Sequence, residues 1–176
     1  MKTNSKKLCS LLLACAMMVT TVVSASAAKV SGMEDDAAET VITAGNPETF
    51  YVDGAQITIA VVPAGEAIRP RVSHSATASQ DFPFTDEYTC RADKGSYGCV
   101  SITNDTRDNE MLRVTLRYEG GDGTSVSRTV RISSNEKAYI EATAPNGSGL
   151  TGTFYAEAKP VSSGITLPLY YSAYQK

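Results

Sequence analysis

The chain of 176 residues contains no tryptophan, a single histidine and no surplus of basic side chains. One histidine, His74, rules out most His-based metal sites. A Ser-His-Asp arrangement would have to use it, and no G-x-S-x-G turn accompanies it in its Ser-rich surroundings. Sixteen Lys and Arg face nineteen Asp and Glu, and the isoelectric point is near 5.2. A nucleic-acid binder normally carries a basic excess, so that class is disfavoured. The missing tryptophan also argues against an immunoglobulin domain proper, whose core is built around one. Sustained helical periodicity is absent too. What remains is 42% hydrophobic and 20% charged, too apolar and too weakly charged for a disordered chain, and the length suits one domain.

The N-terminus reads as an address. Lys2, Lys6 and Lys7 precede an apolar stretch from Leu8 to Val23, and Ser24-Ala25-Ser26-Ala27 follows. A basic start, an apolar middle and an A-x-A site form the pattern of a cleaved secretory signal peptide, so residues 1–27 are expected to be removed after Ala27. The apolar run is short of the roughly 20 residues a membrane anchor needs and is interrupted by Ser10, Thr20 and Thr21. A lipoprotein-like Leu12-Leu13-Ala14-Cys15 is the competing reading, but it would leave the greasy Met17–Val23 in the mature chain. Cleavage removes three lysines and leaves thirteen basic against nineteen acidic residues, a net charge of about −6. The expected product is secreted and extracellular, with no stable membrane anchor. The signal's style is bacterial.

Cys9 and Cys15 lie within the signal, so Cys90 and Cys99 alone remain. In an oxidising compartment two cysteines flanking Arg91-Ala92-Asp93-Lys94-Gly95-Ser96-Tyr97-Gly98 are expected to pair. The expectation is a hairpin of Glu87–Ala92 and Cys99–Asn104 clamped by that disulfide. Two thiols and one distant histidine cannot furnish a four-ligand zinc site.

The mature sequence opens on an acidic leader, residues 28–39, and from Thr40 to the end it alternates. Strands are expected at Thr40–Thr43, Thr49–Val52, Ala55–Val62, Ile68–Ser73, Met111–Glu119, Thr124–Ser133, Ala138–Ala144, Leu150–Lys159 and Ile165–Tyr174, besides the disulfide hairpin. Asp53-Gly54 is a strong hairpin signal. Pro70 places its strand on an edge, because proline has no N–H to donate. Residues 74–86 show no periodicity and read as the largest surface loop. Nine or ten short strands separated by Gly, Pro, Asn and Asp clusters give an all-β fold over residues 40–176, an antiparallel β-sandwich of undetermined (Ig-like or jelly-roll-like) topology, with a barrel as runner-up.

Candidate sites are few. The loop Asn104–Glu110 concentrates oxygen ligands, and Asp105, Asp108 and Glu110 are the calcium candidates. The EF-hand spacing is missing and Arg107 sits in the middle, so a solvated loop is the preferred reading. Arg91, Lys94 and Tyr97 are displayed on the loop that a disulfide would stiffen, lowering the entropic penalty of docking. Arg113, Arg117, Arg128 and Arg131 form a basic patch if their strands pair. Arg128, in phase with core residues, is expected to snorkel or meet a carboxylate. Nine tyrosines outnumber four phenylalanines, and tyrosine is favoured where a ring is half wet, as at interfaces and glycan platforms. Tyr171 is expected to face inward with Leu167 and Leu169.

No catalytic constellation or cofactor motif emerges. The sequence is therefore read as a secreted, non-enzymatic β-sandwich, a binding or adhesion-type module for an extracellular protein or glycan. A membrane-active, bacteriocin-like toxin and a carboxylate-dependent hydrolase are the alternatives.

Overall fold

A computed structural model describes residue 42, residues 44–65 and residues 72–176. The expected signal peptide with its Ala27 cleavage site, the leader 28–39 and the strand Thr40–Thr43 lie outside the described residues, Ile42 excepted. So does most of the expected strand Ile68–Ser73, Pro70 included.

Ten strands follow one another: β1 (Glu48–Val52), β2 (Ala55–Pro63), β3 (Val72–Ser79), β4 (Phe84–Cys90), β5 (Tyr97–Asn104), β6 (Leu112–Glu119), β7 (Ser125–Ile132), β8 (Glu136–Thr143), β9 (Gly152–Pro160) and β10 (Thr166–Gln175). Among the described residues helix is confined to two 3-10 turns, Ala92–Lys94 and Pro145–Gly147. The strands form two antiparallel sheets. Sheet A has the order β1-β2-β8-β5-β10-β3 and sheet B the order β4-β9-β6-β7. The sheets do not close on each other, and the architecture is a β-sandwich.

Alternation decides which side of each strand is dry. Leu112, Val114, Leu116 and Tyr118 on β6, Val130 and Ile132 on β7, and Phe154, Ala156 and Ala158 on β9 form the inner face of sheet B. They meet Ile57, Ile59 and Val61 on β2, Val100 and Ile102 on β5, Ala138, Ile140 and Ala142 on β8, and Leu169 and Tyr171 on β10. Tyr118 and Phe154 stack tilted at a centroid distance of 4.9 Å. As its phase required, Tyr171 faces this core. Arg128 shares the inner phase but lies near the rim, where its Nε donates to Glu48 Oε2 at 2.8 Å. Its guanidinium also covers the Phe50 ring at 4.4 Å.

Turn chemistry fixes the hairpins. Val52 pairs with Ala55 across Asp53 (φ 49°) and Gly54 (φ 74°), both left-handed as a two-residue type I′ loop demands. Elsewhere the chain changes sheet: the connections β3–β4, β4–β5, β5–β6, β7–β8, β8–β9 and β9–β10 all cross from one layer to the other.

Two expectations fail at these crossings. Residues 74–86 are not a loop: β3 runs to Ser79 and β4 starts at Phe84, leaving a short corner of four residues. The strands were hidden because β3 is an edge strand whose faces carry Ser, Thr, Ala and His, so it lacks hydrophobic contrast. Nor do the strands either side of residues 91–96 form a hairpin. β4 pairs with β9 in sheet B, whereas β5 lies between β8 and β10 in sheet A.

Phe154 is fully buried at the centre of sheet B. Phe154→Ala is expected to destabilise the protein by about 3–5 kcal/mol, the usual penalty for removing a core ring, measured as a lowered midpoint in urea.

Candidate functional site

The crossing from β4 to β5 undoes the expected disulfide, and both cysteines are free and buried. Cys90 faces the inter-sheet core, its Sγ filling space left by Gly98, where a Cβ would meet it at 3.0 Å. Cys99 is one residue out of phase with Gly98 and Val100, so it lies on the opposite, outer face of sheet A, between Glu141 and Tyr174 in register. The backbone of sheet A separates the two sulfurs. Burial pushes the Cys90 thiol up to about 12. Burial, and then the nearby Glu141 carboxylate, do the same for Cys99.

The intervening loop is held by Gln175 instead. Its Oε1 accepts from Arg91 N at 2.9 Å, while Nε2 donates to the carbonyls of Arg91 at 2.8 Å, Gly95 at 3.0 Å and Leu150 at 3.2 Å. A polar residue in the inward phase of a final apolar strand was the available sequence signal for this role. Arg91 and Lys94 are exposed on the loop, and Arg91 pairs with Asp93 at 3.3 Å in full solvent, a contact worth little. Tyr97 leaves them and joins the outer face of sheet A.

The other candidates are dispersed. In the Asn104–Glu110 loop, Asp105 and Asp108 are exposed, while Glu110 accepts from Ser162 Oγ at 2.8 Å. Buried Asn104 organises the loop: its Nδ2 donates to the carbonyls of Glu110 and Ile132, and its Oδ1 accepts from Thr106 N. Among the described residues no group of three or more His, Cys, Asp or Glu could hold a metal ion. His74 sits on β3, not in a loop, with Nε2 3.7 Å from Asp86 Oδ2 and its ring against Phe84 and Tyr171. Alternation sends Ser73 and Ser75 to the other face, away from this pair. Arg113 does stand opposite Arg131 on the outer face of sheet B, with Lys159 as its other neighbour in register. Arg117 lies two positions along β6, ion-paired with Glu119, whereas Arg128 turns inward.

What the topology does assemble is tyrosine. Tyr51 on β1, Tyr139 on β8, Tyr97 on β5, and Tyr170 and Tyr174 on β10 all occupy the outward phase of sheet A. Tyr51 is 66% exposed and Tyr170 39% exposed. The Tyr97 hydroxyl donates to Glu141 Oε2 at 2.6 Å, its ring lies 5.6 Å from that of Tyr174, and Lys176 Nζ sits 5.3 Å from its centroid. Burial, reinforced by Cys99 and Glu141, holds the Tyr97 phenol far above its ordinary range. Between the rings the positions are small. Register sets Ala60, Tyr139, Ser101 and Ser172 in one row, and Ser101 and Ser172 share a hydrogen bond of 2.7 Å. Ala60, Cys99, Ser101 and Ser172 are all buried although they face away from sheet B. Tyr51 and Tyr139 were legible only as outward-phase residues of separate strands, and the sequence carries no sign that those strands share a sheet.

Gln175→Ala removes the partner of the Arg91 amide and of the Leu150 carbonyl, while the Arg91 and Gly95 carbonyls keep the backbone amides of Lys94 and Leu150. It is expected to cost about 1–3 kcal/mol, at roughly 1 kcal/mol per lost bond, read from denaturant unfolding. Both thiols titrate higher in the folded chain than the ordinary 9.0. The unfolded chain therefore releases protons that the folded one keeps, so stability is full below pH 9 and is lost as pH rises toward 12. Urea midpoints measured across that window should fall steadily, and Cys99→Ala should flatten the fall.

The chain matches no family model, and no curated protein matches it in sequence.

Proposed function

We propose that this is an exported, non-enzymatic binding module whose contact surface is the outer tyrosine face of sheet A. Export is supported by the basic, apolar and A-x-A pattern of residues 1–27. The observation that carries the contact surface is the gathering of five of the nine tyrosines on one sheet face. Tyrosine offers a large, stiff contact area with only two side-chain torsions to freeze, which is why binding surfaces favour it. Two of the rings are further constrained, by the Tyr97–Glu141 hydrogen bond and the Tyr97–Tyr174 stack. For that pair less ordering entropy is left to lose on association. The loop residues Arg91 and Lys94 flank this face at one end and serve as its rim.

Labelled protein applied to bacterial cells and extracellular matrix should bind saturably. Tyr51→Ala and Tyr170→Ala remove exposed rings without opening the core, so circular dichroism should be unchanged while affinity falls at least tenfold, as expected for aromatic anchors. Arg131→Ala, on the far side of the sandwich, should have no effect. Loss of binding on Arg91→Ala and Lys94→Ala with both tyrosine variants intact would move the contact surface to the loop.

A further inference from the structure

We infer that the tyrosine face binds a neutral polysaccharide, a reading that rests on the proposed contact surface and names its ligand class. The first observation is charge. At the outward positions of the six strands of sheet A only two side chains are charged, Lys137 and Glu141, and they are opposite in sign. Lys137 is buried and Glu141 is taken up by the Tyr97 hydroxyl. The outer face of the smaller sheet B carries seven, among them Arg113, Arg117, Arg131 and Lys159. Among the described residues the strands of the larger face thus keep almost all ionic groups off it, and the exposed charges lie at one end, Lys176 over the Tyr97 ring with Arg91 and Lys94 on the rim. An ionic partner finds nothing complementary across the middle of the face.

The second observation is what fills the face instead. Ser and Thr hold most of the outward positions not taken by tyrosine, with Gln56 beside Tyr51 in register. Hydroxyls both donate and accept, as sugar hydroxyls do, and the tyrosine rings offer apolar faces on which the C–H side of a pyranose can lie. A surface of rings flanked by free hydroxyls matches a ligand that is itself amphipathic and uncharged. A protein partner would be expected to meet a drier centre with a polar rim. Here exposed hydroxyls adjoin the rings, Thr143 beside Tyr97 and Ser75 beside Tyr170 in register, while Ser101 and Ser172 are buried and bonded to each other.

The third is extent. Tyr51 and Tyr170 are separated by four strand spacings and by three rows of side chains along the strands. At about 4.8 Å per strand and 3.3 Å per residue this is roughly 19 Å across by 20 Å along. Such a span exceeds one sugar ring and accommodates several consecutive units, so the ligand is a chain of sugars and not a monosaccharide.

The purified chain should be tested for retention on four insoluble neutral polysaccharides, namely cellulose, chitin, xylan and mannan, with soluble oligosaccharides of each as competitors. Tyrosine emission is unobscured by tryptophan and provides a second readout in solution. The expected result is retention on at least one of them, competed by its own oligosaccharide and unchanged when salt is raised to about 0.5 M, where exposed charge pairs are screened. It should weaken at least tenfold in Tyr51→Ala and Tyr170→Ala, with circular dichroism unchanged, and persist in Arg131→Ala. Failure to bind all four, loss of binding in salt, or indifference to both tyrosine variants overturns the inference. Binding to cells that depends on Tyr51 and Tyr170 while all four polysaccharides fail to retain the chain leaves the contact surface standing and makes the partner a protein.

Discussion

The constraint on which the structure depends is that neither sheet can be dry on its own. Each strand of sheet B presents one apolar row, and that row is excluded from water only by the matching rows of β2, β5, β8 and β10. Because six connections cross between the layers, no half of the chain owns a complete sheet pair. The core is therefore assembled from contacts distant in sequence, a topology that folds slowly because loop closure precedes the reward of burial. Gln175 closes this arrangement, tying the last strand to the β4–β5 crossing and to the approach to β9 through one amide.

Alternation made most strands readable. Leu112, Val114, Leu116 and Tyr118 against Arg113, Thr115, Arg117 and Glu119 leave no doubt about which side of β6 is dry, and the burial of β6 follows that pattern residue by residue. The same holds for Tyr171 inside and Tyr170 outside on β10. Alternation fails where contrast fails. β3 reads Val-Ser-His-Ser-Ala-Thr-Ala-Ser, and as an edge strand it is largely exposed on both faces, so nothing in its composition separates it from a loop.

Pairing was the harder problem. Two strands with a glycine-containing turn between them look like a hairpin whether they share a sheet or face each other across a core. The segment between Cys90 and Cys99 is of the second kind, and the expectation of a disulfide fell with the expectation of a hairpin. The tyrosine face was invisible for the same reason. Its five rings come from four strands that are scattered along the chain, and only the order β1-β2-β8-β5-β10 brings them onto one surface. Single residues and their phase were available from local pattern, while the site is a property of topology.

The placement of the two cysteines has a consequence for how the molecule reaches its native state. With Cys90 inside the sandwich and Cys99 behind a sheet, a bond between them is compatible only with a chain whose β4 and β5 have not yet taken their places in opposite layers. Closing the two sheets is what separates the thiols.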